Sequence, residues 1–255
     1  MRAVSRSLLC AGMAMLICAG GAQAAEVKIL VAGALQNAVR ALAADFEKQS
    51  SDKVTVTSVN PAFIEKELTE HTYDVLAASN VSMASYNETG RIDAPSRAQL
   101  ARTGIGVSIK AGARKPDLSS VEAFKKSVMG AKNVIYTDPN IPNASGAVTQ
   151  HILTNAGLLD AVKAKGKMEG LAPGRELIAK GEYEIGFFNV SEATAPGVVL
   201  AGPVPAPLQQ YTNYEVALVT GADNAKGGAA FLKFMTAKAA GARWTGAGMD
   251  QIAPQ

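Results

Sequence analysis

Cysteine is nearly missing from this sequence of 255 residues, and the two present, Cys10 and Cys18, both lie in its N-terminal segment. From Ala25 onward no disulfide can form and no thiolate is available for catalysis. Histidine is as sparse: His71 and His151 stand alone, so no cluster has zinc-ligand spacing and no metal is expected. Charge of one sign is lacking too. With 25 Lys+Arg against 22 Asp+Glu there is no concentrated basic field, which argues against nucleic acid or a membrane surface as partner. No later run is long and apolar enough to span a bilayer, and no repeat, heptad pattern or low-complexity tract appears. The glycines after the first expected strand lack the dinucleotide and P-loop patterns, so no cofactor is expected. Ser145, His151 and Asp138 do not make a hydrolytic triad, because six residues at ~100° each put His151 nearly opposite Ser145 on one helix.

At the N-terminus, Arg2 and Arg6 precede the apolar run Leu8 to Ala19, which is followed by Ala22-Gln23-Ala24. This is the pattern of a secretory signal peptide, 1–24, with cleavage expected after Ala24. The apolar run is too short for a comfortable membrane anchor. Cys18 is a poor lipidation site, since Met15-Leu16-Ile17 lacks the small residue expected before a lipidated cysteine. Without Arg2 and Arg6 the balance is 23 basic against 22 acidic residues, so any anion selectivity must come from a local site.

Strands and helices alternate through the rest of the chain. Val27 to Ala32 reads as a strand; Gly33-Ala34 turns it into a helix with Leu35, Val39, Leu42, Ala43 and Phe46 on one face. Val54 to Val59 is a second strand, and Asn60-Pro61-Ala62 leads into a helix near Phe63, proline fitting a first helical turn. Asp74 to Ala78 is a third. Alternation of this kind implies parallel βαβ units whose strand C-terminal ends form a binding edge. Two longer extended runs, Thr103–Ile109 and Thr212–Val219, bracket the middle of the chain. The economical arrangement is two α/β lobes joined by two crossing strands, 25–106 plus 212–255 against 107–211. Within the second lobe, Asn133 to Tyr136 is a buried strand and a helix opens at Asn143-Ala144-Ser145-Gly146. Its free N–H groups and positive dipole end suit an anion. Another strand, Glu184 to Phe188, follows a helix near Arg175 to Lys180, and Pro203, Pro205 and Pro207 mark an irregular, exposed connection.

Four segments in this order carry a family resemblance: Ala32 to Ala38, Tyr73 to Ala78, Ile135 to Pro139, and Glu184 to Glu192. The chain resembles the molybdate-binding family of periplasmic solute-binding proteins, which implies the type II periplasmic binding fold, a periplasmic location, a monomer and an inner-membrane transporter as partner. In that family the oxyanion is held by a serine after each of the first two strands and by a tyrosine after the strand matching Ile185 to Phe188. The equivalent positions are Ala34, Ala62 or Pro61, and Asn189. Losing three hydroxyl donors at ~1.5–3 kcal/mol each argues against molybdate. Thr137-Asp138-Pro139 with Ala144-Ser145-Gly146 is similar to a subgroup that includes aconitate isomerases, which implies a small organic anion of di- or tricarboxylate size.

The candidate ligand-binding residues are therefore Gly33, Ala34, Asn60, Ala62, Tyr136, Asn143, Ser145, Gly146, Arg175 and Asn189. Ser145 either caps its helix or reaches the ligand, and the two roles are compatible. Asn60 either shapes its turn or lines the site. Asn189 brings both a donor and an acceptor. Arg175, after Pro173-Gly174, either pairs with a carboxylate or sits solvated at the surface. Tyr136 either donates its phenol or packs in the core. A receptor closing over the anion is one reading. An isomerase shifting a proton is the other, with Glu65, Glu192 and Tyr136 as candidate bases.

Overall fold

The computed structural model describes residues 26–140 and 144–252. The expected signal peptide and Asn143 lie outside the described residues. The elements run β1 (Glu26–Ala32), α1 (Gln36–Gln49), β2 (Lys53–Val59), α2 (Ile64–Glu70), β3 (Val75–Ser79), α3 (Asn80–Glu88) and β4 (Ala98–Lys110). Then come α4 (Val121–Gly130), β5 (Val134–Thr137), α5 (Ala144–Asn155), α6 (Leu159–Lys165), β6 (Gly166–Glu169), α7 (Leu171–Lys180) and β7 (Ile185–Asn189). The chain closes with β8 (Val198–Pro203), β9 (Tyr211–Leu218), α8 (Ala225–Thr236), α9 (Gly241–Gly246) and β10 (Asp250–Gln251).

β2, β1 and β3 pair in parallel, as do β7, β5 and β6, and the path from β3 to β7 runs through the antiparallel strands β9 and β4. The two long strands are the crossing pair expected from the sequence. β4 pairs with β9 from Ala98 to Gly104 and then changes partner, meeting β7 from Ile105 to Ser108. One strand thus carries the chain from one α/β lobe into the other, and β9 brings it back.

Among the described residues one buried apolar cluster holds the first lobe and two hold the second. In the first, the face of α1 read from the sequence packs against the sheet: Leu35, Val39, Leu42, Ala43 and Phe46 are all buried beside Ile29, Leu30 and Val31. Phe46 meets Phe231 of α8 with ring centroids 5.1 Å apart. Trp244 of α9 is fully buried, and its Nε1 donates to the Met235 carbonyl at 3.1 Å. The second cluster gathers Ile105 and Val107 of β4, Phe124, Tyr136, Ile152, Leu153 and Phe187. Each such side chain contributes about 1.5–3 kcal/mol through burial.

Several boundaries differ from the sequence reading. β4 starts at Ala98, and α7 starts at Leu171. β6 and β8 appear where no strand was expected. The proline segment is less exposed than expected: Pro203 ends β8, while Val204 and Pro205 are buried.

Candidate functional site

A cleft of about 680 Å³ lies between the lobes. Its lining comes from strand ends, as a two-lobed α/β architecture dictates. After β1 come Gly33 and Ala34, after β2 Asn60 and Pro61, and after β3 Asn80 to Ser82. From the other side come Thr137 at the end of β5 with Ser145, Gly170 and Leu171 after β6, and Asn189 with Glu192 after β7. The crossing strand β9 adds Tyr211, Thr212 and Tyr214.

Local sequence sets each turn. Asn60 Oδ1 accepts from Ala62 N at 3.0 Å ahead of Pro61, closing the turn that follows β2. Ser79 caps α3 by accepting from Ser82 N at 3.3 Å. Ser145 Oγ donates to Thr137 Oγ1 at 3.1 Å, tying the start of α5 to the end of β5, and both residues are buried. Gly146 permits this approach. A Cβ there would lie 2.7 Å from the carbonyl oxygens of both Thr137 and Asp138.

Of the expected ligand-binding residues, the cleft brings together Gly33, Ala34, Asn60, Ser145 and Asn189. Ala62, Tyr136, Gly146 and Arg175 are not part of its lining. Ala62 is exposed, and its N–H is already used by Asn60. Tyr136 faces the core beside Ile152 and Phe187, with its phenol oxygen buried and unpartnered. Arg175 lies within α7 rather than at its start. Its Nη1 donates to the carbonyl oxygens of Glu192 at 3.0 Å and Thr194 at 3.4 Å, so the guanidinium pins the segment after β7 from behind. Hydroxyl-bearing side chains are plentiful in the cleft: Ser58, Ser79, Ser82, Thr137, Thr212, Tyr211 and Tyr214 line it besides Ser145.

Of two further features of the site, Thr212 was not singled out from sequence and Glu192 was named there only as a candidate base, not as a lining residue. Thr212 is 7% exposed, and its Oγ1 is buried without a partner; Asn189 Oδ1 is in the same state. A buried polar atom left unpaired calls for an explanation, and inside a cleft a bound group or water is one. The second feature is Glu192, the only charged side chain among the described lining residues. Its Oε2 accepts from Asn189 Nδ2 at 2.8 Å, and its Oε1 faces Gly33, where a Cβ would stand 3.4 Å away. Burial pushes its pKa above the ordinary carboxylate value, against the opposing pull of the Asn189 hydrogen bond and the Arg175 charge. Burial, with Glu192 nearby, likewise drives the Tyr214 phenol upward, so Tyr214 stays a neutral donor. Among the described residues no group of acidic, histidine or cysteine side chains is arranged to hold a metal ion.

Comparison with known proteins gives a consistent result. The model of the family described as bacterial extracellular solute-binding protein matches residues 27–250. An aconitate isomerase from a Pseudomonas species is 27% identical over 235 residues, covering 89% of this chain and 88% of that protein. The molybdate-binding protein ModA of Azotobacter vinelandii is 29% identical over 231 residues, covering 87% and 88%. The structure of a periplasmic molybdate-binding protein from Azotobacter vinelandii superimposes with a TM-score of 0.72 at 21% identity, covering 90% of this chain and all of that one. The fold is the two-lobed type II arrangement of such binding proteins.

Proposed function

The chain belongs to the bacterial extracellular solute-binding protein family, and we propose that within it this protein is an exported receptor that closes its lobes over a small organic di- or tricarboxylate. In this reading residues 1–24 are a signal peptide, 25–106 with 212–255 form one lobe and 107–211 the other. The periplasmic monomer hands its ligand to an inner-membrane transporter.

The observation that carries the reading is Glu192, the lone charged side chain among the described lining residues. Among the described residues no cation lines the cleft beside it, so an anion would be held by neutral donors, as at helix starts elsewhere. A compact dianion such as molybdate cannot separate its charge from Glu192 when that residue is ionised. Like charges 4 Å apart cost about 4 kcal/mol at an effective dielectric of 20. A longer organic acid can place its carboxylates at the hydroxyl-bearing turns and present its uncharged carbon or hydroxyl section to Glu192. The same resemblance that aligns Ala34 with a ligand-binding serine of the molybdate binders supports the choice.

A second reading is an aconitate isomerase on the same scaffold. It is favoured by the 27% identity to such an enzyme along most of both chains and by a carboxyl of raised pKa in the cleft.

Thermal unfolding of the purified mature protein with molybdate, tungstate, sulfate and a series of di- and tricarboxylates tests the ligand class. Stabilisation by one or more carboxylates is expected. Stabilisation by molybdate alone would overturn the proposal.

A further inference from the structure

We infer that Glu192 is the catalytic residue that carries a proton between the two allylic carbons of an unsaturated tricarboxylate held in the cleft. The inference rests on the isomerase reading and gives that reading the base it lacks.

The other candidate bases fail on position. Glu65 sits on α2 away from the cleft lining, where it is exposed and paired with Arg91. Tyr136 packs in the core of the second lobe. Tyr214 lines the cleft, but burial disfavours its ionised form. Glu192 is different on three counts. It lines the cleft, one carboxyl oxygen is fixed by Asn189 Nδ2 at 2.8 Å, and its backbone is anchored by Arg175 Nη1 at 3.0 Å. Its other oxygen faces Gly33, where the absent side chain leaves room beside it. A base held at one oxygen and open at the other is fixed in orientation while keeping a free lone pair for a C–H bond. Asn189 and Arg175 are the groups that act on its charge, both favouring the ionised form against burial. Burial raises the basicity of the carboxylate, the direction a carbon acid requires.

The step balances without an oxidant, a reductant or added water. The Glu192 carboxylate takes a proton from the methylene carbon, and the C–H electron pair becomes the new C=C bond. The electrons of the former double bond move onto the far carbon and its carboxylate as a dienolate. The resulting Glu192 carboxylic acid returns the proton to that far carbon, regenerating the carboxylate. The unpartnered Thr212 hydroxyl is a donor available to the charge that develops.

The test follows cis-aconitate with wild-type protein, Glu192→Gln and Glu192→Asp in D2O by proton NMR, with thermal stabilisation by the same compound as the binding readout. Wild type should form trans-aconitate. Glu192→Gln should keep the stabilisation while conversion falls by about 100-fold or more, the usual scale of a lost general base. Conversion by Glu192→Gln within about threefold of wild type removes Glu192 from the chemistry but leaves the isomerase reading standing. A wild type that is stabilised yet neither converts cis-aconitate nor exchanges its methylene protons overturns both, and the receptor reading remains. Should Glu192→Gln fail to fold or bind, Glu192→Asp decides: its carboxylate is withdrawn by one methylene, so conversion should fall about tenfold or more with binding retained, and an unchanged rate overturns the assignment.

Discussion

Asn189 holds Glu192 with only one end of its amide: Nδ2 donates to Glu192 Oε2 at 2.8 Å, while Oδ1 is buried with no partner. The amide therefore fixes a carboxyl on one side and keeps an acceptor in reserve on the other. A ligand bringing an O–H or a protonated carboxyl would satisfy that acceptor. The pairing also sets the direction of several measurable effects.

Glu192 has a folded-state pKa raised above its ordinary value of 4.5. Its neutral form is thus favoured by folding, and its contribution to stability is complete below that ordinary value and lost as pH rises through the raised one. Glu192→Gln should match wild type near pH 4 and become the more stable protein as pH approaches 8. Paired thermal melts across that range check this, and a constant difference would mean that the carboxyl titrates normally.

Thr212→Val keeps the shape of a buried side chain and removes an oxygen that has no partner in the protein. Stability should be unchanged or slightly higher, because nothing bonded is lost. Ligand affinity should fall about fivefold to tenfold, the equivalent of one hydrogen bond at ~1–1.4 kcal/mol. Calorimetric titration beside a melt separates the two, and unchanged affinity would make Thr212 a strand residue only.

Gly146→Ala drives a Cβ to within 2.7 Å of two backbone carbonyl oxygens. Because neither can swing aside as a side chain would, the start of α5 must move. A loss of about 1–3 kcal/mol is expected in urea unfolding, with weakened ligand binding as Ser145 shifts from Thr137.

Arg97→Met tests the first-lobe side of the crossing strands. Glu215 on β9 is 5% exposed and accepts from Arg97 Nε and from Gln99 Nε2. Removing the guanidinium leaves a buried carboxylate with one neutral donor, so a loss of about 3 kcal/mol is expected by denaturant titration. Gln99 and the partial exposure of Arg97 keep the effect at the lower end.

The legible parts of the fold were those governed by local period. The α1 face and the parallel strands β1, β3, β5 and β7 follow from apolar spacing and β-branched runs; strand alternation placed Gly33 and Asn60 at one edge, and the family resemblance added Asn189. What the sequence hid depends on contacts across lobes. Gly166–Glu169, with no β-branched residue, is a strand because β5 offers it an edge. Arg175 was misplaced because Pro173-Gly174 looks like a helix entry, whereas Pro173 is accommodated inside the first turn, where its missing N–H is harmless. Thr212 looks like any β-branched strand residue until the cleft leaves its hydroxyl unpaired. Glu192 could be named among candidate bases, but its distinction as the lone charge among the described lining residues exists only once two distant halves of the chain meet.

Trp244 is the chain's single tryptophan, sealed in the first lobe with its indole N–H bonded to Met235, and it is absent from the cleft lining. Intrinsic indole fluorescence is therefore a reporter of that lobe's integrity and is blind to occupancy. Tyr211 and Tyr214 line the cleft, so the optical signal of loading belongs at tyrosine wavelengths, and a titration followed through the indole alone would record an empty protein and a full one as the same.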